Sequence, residues 1–156
     1  MMAPTLLLEN TRFGTITYAP GDVLRFPQGL IGFDSCSRFL LVSTSENGTF
    51  QWLQSLDVPS LAFLVTRPQQ YVATYEPKVK SFFSAPAKVD PSKRLVLTTV
   101  SIPKGRPEEM SINLAGPIVI DLHAKLGRQI ILEDEAYTTR HRVFAKASDT
   151  EERVAA

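Results

Sequence analysis

The sequence predicts a mainly β protein: a small antiparallel β-barrel-like single domain in which helix is confined to short turns. Three observations carry the prediction. About eight or nine short segments rich in Val, Ile, Leu, Thr and aromatic residues recur at roughly ten-residue intervals, the spacing of an antiparallel sandwich or barrel. Eleven prolines and eight glycines interrupt the chain too often for long helices. A chain of 156 residues, 44% hydrophobic and 21% charged, has the length and composition of one globular domain with one core.

In chain order, Arg12 to Tyr18 alternates, Ala19-Pro20-Gly21-Asp22 is a turn, and Val23 to Phe26 resumes the extended pattern, so a hairpin is expected there. Pro27-Gln28-Gly29-Leu30-Ile31-Gly32-Phe33 is too rich in proline and glycine for regular structure and too apolar for a solvated loop. Phe39 to Ser43 and Phe50 to Gln54 form a second hairpin around the Glu46-Asn47-Gly48 turn. Leu61 to Thr66 is apolar on both parities, which reads as a strand covered on both sides and the most buried of the N-terminal half. Tyr71 to Pro91 is connecting structure with a short helical turn over Lys78 to Ser84. Leu95 to Ile102 is a strand, and Met110 to Leu114, Ile118 to Asp121 and Arg128 to Leu132 form a final meander, with His123 to Gly127 as a turn. The domain is placed at 1–144, with 145–156 a flexible tail of small and polar residues.

Charge and cysteine content narrow the functional classes. Seventeen Lys+Arg against sixteen Asp+Glu leave a formal charge of +1, whereas phosphate or anionic-membrane binding calls for a basic excess. Direct nucleic-acid and membrane binding are therefore not expected. The one cysteine, Cys36, permits no intrachain disulfide, and no stretch approaches the ~20 apolar residues of a membrane span, so a reducing cytoplasm is the expected setting.

An enzyme needs a nucleophile, a base and an orienting group, and the residues offer no coherent set. His123 lies in a turn and His141 between Arg140 and Arg142, neither with a ligand at metal spacing. Cys36 has a neighbouring arginine in Asp34-Ser35-Cys36-Ser37-Arg38 but no histidine nearby in sequence, and Glu133-Asp134-Glu135 is not spaced like a calcium loop. No catalytic activity, cofactor or metal is expected. A single-strand nucleic-acid-binding barrel is the alternative, with Phe82 and Phe83 stacking bases beside the neighbouring lysines Lys78 and Lys80.

The residues point instead to binding. In Phe26-Pro27-Gln28-Gly29-Leu30-Ile31-Gly32-Phe33, apolar groups are fixed in a loop whose ordering entropy is lost on folding. That loop either caps one end of the barrel or presents a contact surface. Phe50, Trp52 and Gln54 share one strand face, which is either covered or a contact surface in its own right.

Taken together, the motifs resemble the flagellar assembly factor FliW family over nearly the whole chain. The matching pieces are Phe26 to Phe33, Phe50 to Ser55, Asp57 to Pro68, Tyr75-Glu76-Pro77, Asn113 to Asp121 and Tyr137 to His141, in that order. The resemblance implies a β-barrel without catalytic activity that binds two alternative proteins. One is flagellin, held before export. The other is CsrA, a dimeric RNA-binding repressor of flagellin synthesis, which a FliW-like protein antagonises allosterically when flagellin has been secreted. It implies partner contacts at Phe26, Pro27, Leu30, Ile31, Phe33, Trp52, Gln54, Asn113, Tyr137 and Arg140, and a monomer when free. Val58, Ser60 and Arg67 stand where the family pattern has acidic residues, leaving acidic complementarity toward a basic partner to Glu133, Asp134 and Glu135.

Overall fold

The computed structural model describes residues 4–44, 48–77 and 93–144. It contains β1 (Leu6–Thr11), β2 (Gly14–Tyr18), β3 (Leu24–Arg25), β4 (Arg38–Ser43), β5 (Phe50–Ser55), β6 (Ala62–Thr66), β7 (Arg94–Ser101), β8 (Ser111–Ile112), β9 (Ile118–Asp121), β10 (Leu126–Gln129) and β11 (His141–Arg142). Helix is limited among the described residues to short 3-10 turns such as Pro20–Asp22 and Pro68–Gln70, each opened by a proline whose missing N–H has no partner to lose. None of the helices described is long and apolar enough to cross a membrane.

Seven strands close a barrel in the order β7-β6-β5-β4-β3-β10-β9, with β9 pairing back onto β7. Closure hides the hydrogen-bonding edges that an open sheet would leave bare. All contacts in the ring are antiparallel except β3–β10, a parallel pairing of Arg25 with Leu126 in which the Arg25 amide donates to the Lys125 carbonyl at 2.9 Å. Period-two alternation sends Phe39, Leu53, Val65, Leu97, Ile118 and Ile120 inward, all fully buried in one core. Phe26 joins that core at its β3 end, its ring edge-on to Phe39 at 5.2 Å. A Cβ on Gly127 would overlap the Phe26 ring, so the glycine in β10 leaves the space that the ring fills.

Outside the ring, β1 and β2 form a two-stranded ribbon that packs Leu8, Ile16 and Tyr18 onto Leu40 and Leu56. β8 pairs with the end of β7 and with β11, and over it Tyr75, Ile112 and Leu114 make a third apolar cluster.

Four expectations change. The hairpin expected from Arg12–Tyr18 and Val23–Phe26 does not form: β2 pairs with β1, because β3 is taken on its two edges by β4 and β10. β6 is not the most buried strand, since Leu61 to Leu64 are half-buried and only Val65 and Thr66 are fully covered. In a barrel one face of every strand looks outward, and a strand apolar on both parities places half of its side chains there. The final meander is only the β9–β10 hairpin, with β8 diverted to β7. β10 starts at Leu126, inside the expected turn, and β1 and β11 were not foreseen. The helical turn over 78–84, the stacking pair Phe82 and Phe83, most of the Glu46-Asn47-Gly48 turn and the tail 145–156 lie outside the described residues.

Candidate functional site

The loop from Phe26 to Ser37 is a chain of tight turns. The Phe26 amide donates to the Ser37 carbonyl at 2.7 Å, Gly29 to Phe26 at 2.8 Å, Phe33 to Leu30 at 2.7 Å and Cys36 to Phe33 at 3.1 Å. Gly29 has φ +66°, and a Cβ there would run into the Phe33 carbonyl and the Asp34 backbone, so only glycine fits. These turns divide the apolar side chains by direction. Phe26, Leu30 and Cys36 face the core, whereas Ile31 is 53% and Phe33 39% exposed, with Phe33 edge-on to Phe63 at 4.9 Å.

Across from this loop stands the turn 113–116. The Asn113 carboxamide oxygen accepts the Ala115 and Gly116 amides at 3.1 and 2.9 Å, the side-chain turn that asparagine makes readily. Leu114 and Ala115 donate to the Thr138 carbonyl, and the buried Tyr75 hydroxyl donates to the Leu114 carbonyl at 2.6 Å. Burial, with Tyr137 adding to it, pushes the Tyr75 hydroxyl well above the usual phenol range, so it remains a donor. Tyr137 packs edge-on to Tyr75 at 4.8 Å and braces the turn from behind.

Gln129, at the end of β10, joins the two walls. Its Oε1 accepts the Ile31 amide at 3.0 Å and its Nε2 donates to the Gly116 carbonyl at 2.9 Å. Between the walls lies a groove of about 400 Å³ lined by Leu30, Ile31, Phe63, Asn113, Ile131 and Thr139, among others. Ile131 is 69% exposed on its rim, and the exposed acidic run Glu133-Asp134-Glu135 follows two residues on. An apolar floor, exposed aliphatic side chains and hydrogen-bonded walls make a surface suited to holding a polypeptide.

Of the residues picked from the sequence, Leu30, Ile31 and Asn113 line this groove, and Phe33 flanks it through Phe63. Pro27 is exposed on the same loop, and Arg140 is exposed beside Thr139. Trp52 and Gln54 are elsewhere. Trp52 points outward from β5 and is covered by the chain itself: the Arg12 guanidinium lies 4.0 Å over its ring and Phe13 meets it edge-on at 5.6 Å. Phe26 and Leu30 are buried and hold the loop from beneath, whereas Gln54 is buried away from the groove. Gln54 is enclosed because its amide donates to the carbonyls of Ser55, Pro59 and Leu61, folding the turn 55–61 over it. Gln129, Gly116, Phe63, Ile131 and Thr139 escaped the sequence reading. Phe63, Gly116 and Thr139 lay inside the matching motifs without being singled out, and Ile131 was marked only as an aliphatic residue two before an acidic run.

A second groove of about 620 Å³ runs between β2 and β4, lined by Ile16, Tyr18, Leu40, Val42 and Lys125, among others. Neither groove is lined by Cys36 or a histidine. Among the described residues no three His, Cys, Asp or Glu side chains gather where they could hold a metal ion.

Known proteins fit this architecture. A family model described as FliW protein matches residues 7–143. The flagellar assembly factor FliW of Moorella thermoacetica is 36% identical over 146 residues, covering 93% of this chain and 92% of its own. That of Magnetococcus marinus is 37% identical over 128 residues, 81% of this chain and 79% of its own. A crystal structure of the flagellar assembly factor FliW superposes with a TM-score of 0.78 at 27% identity, over 91% of this chain and 99% of that one. A match running almost from the first strand to the last, in sequence and in fold, places the chain in the FliW family of flagellar assembly factors.

Proposed function

We propose that this chain serves flagellar assembly by binding two proteins in turn. In the cytoplasm it holds flagellin before export. Once flagellin has been secreted, the freed monomer binds CsrA and allosterically relieves its repression of flagellin synthesis, so that synthesis follows export. Membership of the FliW family supports this reading, and the observation that carries it is the groove, where exposed Ile31 and the flanking Phe33 sit on hydrogen-bonded backbone and Ile131 stands exposed on the rim. Because that backbone is ordered on folding, a partner loses little further entropy in ordering it. Pro27, Ile31, Phe33, Asn113 and Arg140 are the contact positions, Phe26, Leu30 and Tyr137 support them, and Glu133, Asp134 and Glu135 face a basic partner.

Calorimetry of the purified chain with flagellin and with CsrA from the same genome tests the proposal. Saturable heats with each, and displacement of one partner by the other, are expected. Binding to neither overturns it.

A further inference from the structure

Ile31 is the most exposed apolar residue of its loop, and it sits between two glycines with positive φ, Gly29 at +66° and Gly32 at +87°. Such a segment has backbone freedom that its own turn, closed by the Phe33 amide on the Leu30 carbonyl, only partly removes. The Ile31 amide lies inside that turn and is anchored separately by Gln129, 98 positions further along the chain. The other end of the same carboxamide holds Gly116, on the wall across the groove. A Cβ on Gly116 would lie 2.9 Å from the Asn113 amide nitrogen and 3.1 Å from that of Gln129, so a larger residue there would push on both carboxamides.

From this geometry we infer that Gln129 is a positioning residue: it spans the groove as a latch and holds Ile31 where a partner meets it. The role demands a carboxamide of this length. One end must accept an N–H and the other must donate to a C=O. A carboxylate supplies acceptors only and sets an oxygen against the Gly116 carbonyl; leucine keeps the volume and loses both bonds. The inference rests on the groove being the partner surface, as proposed above.

Two readouts on the full chain test it. Gln129→Leu is expected to lower the hydrogen-exchange protection of the Ile31 amide about tenfold, leaving β4 and β5 amides unchanged. The same variant is expected to weaken binding of flagellin or CsrA about fivefold, the factor for one ordinary hydrogen bond. In Gln129→Glu, the carboxylate can still accept the Ile31 amide but turns its other oxygen against the Gly116 carbonyl, so protection at Ile31 is partly lost at neutral pH. It recovers as the pH falls through the carboxyl titration, when the protonated group again has one acceptor and one donor. A residue that only fills space shows no such recovery. Unchanged protection in Gln129→Leu, or a pH-independent Gln129→Glu, overturns the inference. Ile31→Ala separates the two layers of the argument. If it weakens binding and Gln129→Leu does not, the latch alone has failed; if it leaves both affinities unchanged, the groove reading has failed and the latch role falls with it.

Discussion

On the groove face, Ile31 and Phe33 are left in solvent while the main chain beneath them is tied by hydrogen bonds; on the ribbon face, Trp52 is roofed by Arg12 and Phe13 of the same chain. Both faces carry large apolar side chains outside the core, and the difference lies in who covers them. Covering Trp52 with the β1–β2 turn gives a stability term internal to the fold. The groove carries the opposite arrangement, a rigid frame around side chains that the chain leaves bare, which is why the function proposed above assigns the partner to this face.

The strongest way to break this contrast is to remove what lies under the groove. Phe26→Ala empties the space beneath the loop and is expected to cost about 3–5 kcal/mol by chemical denaturation, taking the groove and partner binding with it. Phe33→Ala sharpens the contrast: partner affinity falls about tenfold or more by calorimetry while the melting temperature moves by a few degrees at most. Trp52→Ala should do the reverse, since it removes a cation–π contact and an aromatic pair. About 1 kcal/mol of stability is lost, faster exchange is confined to β1 and β2, and affinity stays within about threefold. A Trp52→Ala protein as weak in binding as Phe33→Ala would show that the ribbon face is a contact surface too.

The smallest effect is electrostatic. Burial on its own raises the Asp57 carboxyl, but the Ser37 and Arg38 amides at 2.8 and 3.0 Å and the Arg38 guanidinium outweigh it and hold the group below its ordinary value. A depressed carboxyl contributes stability that is full above its unfolded-state pKa and lost as the pH falls through its folded-state value. Asp57→Asn should therefore flatten the acid limb of the stability curve below about pH 4, as followed by thermal melts.

Alternation and punctuation made β4, β5 and β7 legible to within a residue or two, because a strand with one buried face writes its period into its own residues, and β9, buried along its whole length, was legible as a short apolar run between turns. What decided the rest was partnership, which no local pattern records. β3 is two residues long and owes its existence to neighbours on both edges. Phe26 and Phe33 bracket one motif and are the same residue type, yet one is fully buried and the other exposed. The space at Gly127, a hundred or so positions away, makes the difference. Gln54 read as a surface residue because glutamine on an outward parity normally is one; the turn 55–61 closes over it. Within the groove, the loop announced itself through proline and glycine, and Asn113 belonged to a matching motif. Gln129 has no local mark at all, since its meaning comes entirely from two backbone groups that the fold brings to it.

The closure of the barrel also sets an order of events. The strands β4, β5 and β6 follow one another as antiparallel neighbours and can pair early, with short loops to close. The groove cannot: its walls meet through the contact of Ile31 with Gln129 across 98 positions, beside the parallel pairing of Arg25 with Leu126. Contacts of such separation form late, when most of the chain is already in place. A chain still leaving the ribosome, or one only partly folded, thus has Trp52 and its neighbouring strands but no groove. On the function proposed above, competence to take a partner would arrive only once the groove has closed, and an unfinished copy would bind neither protein.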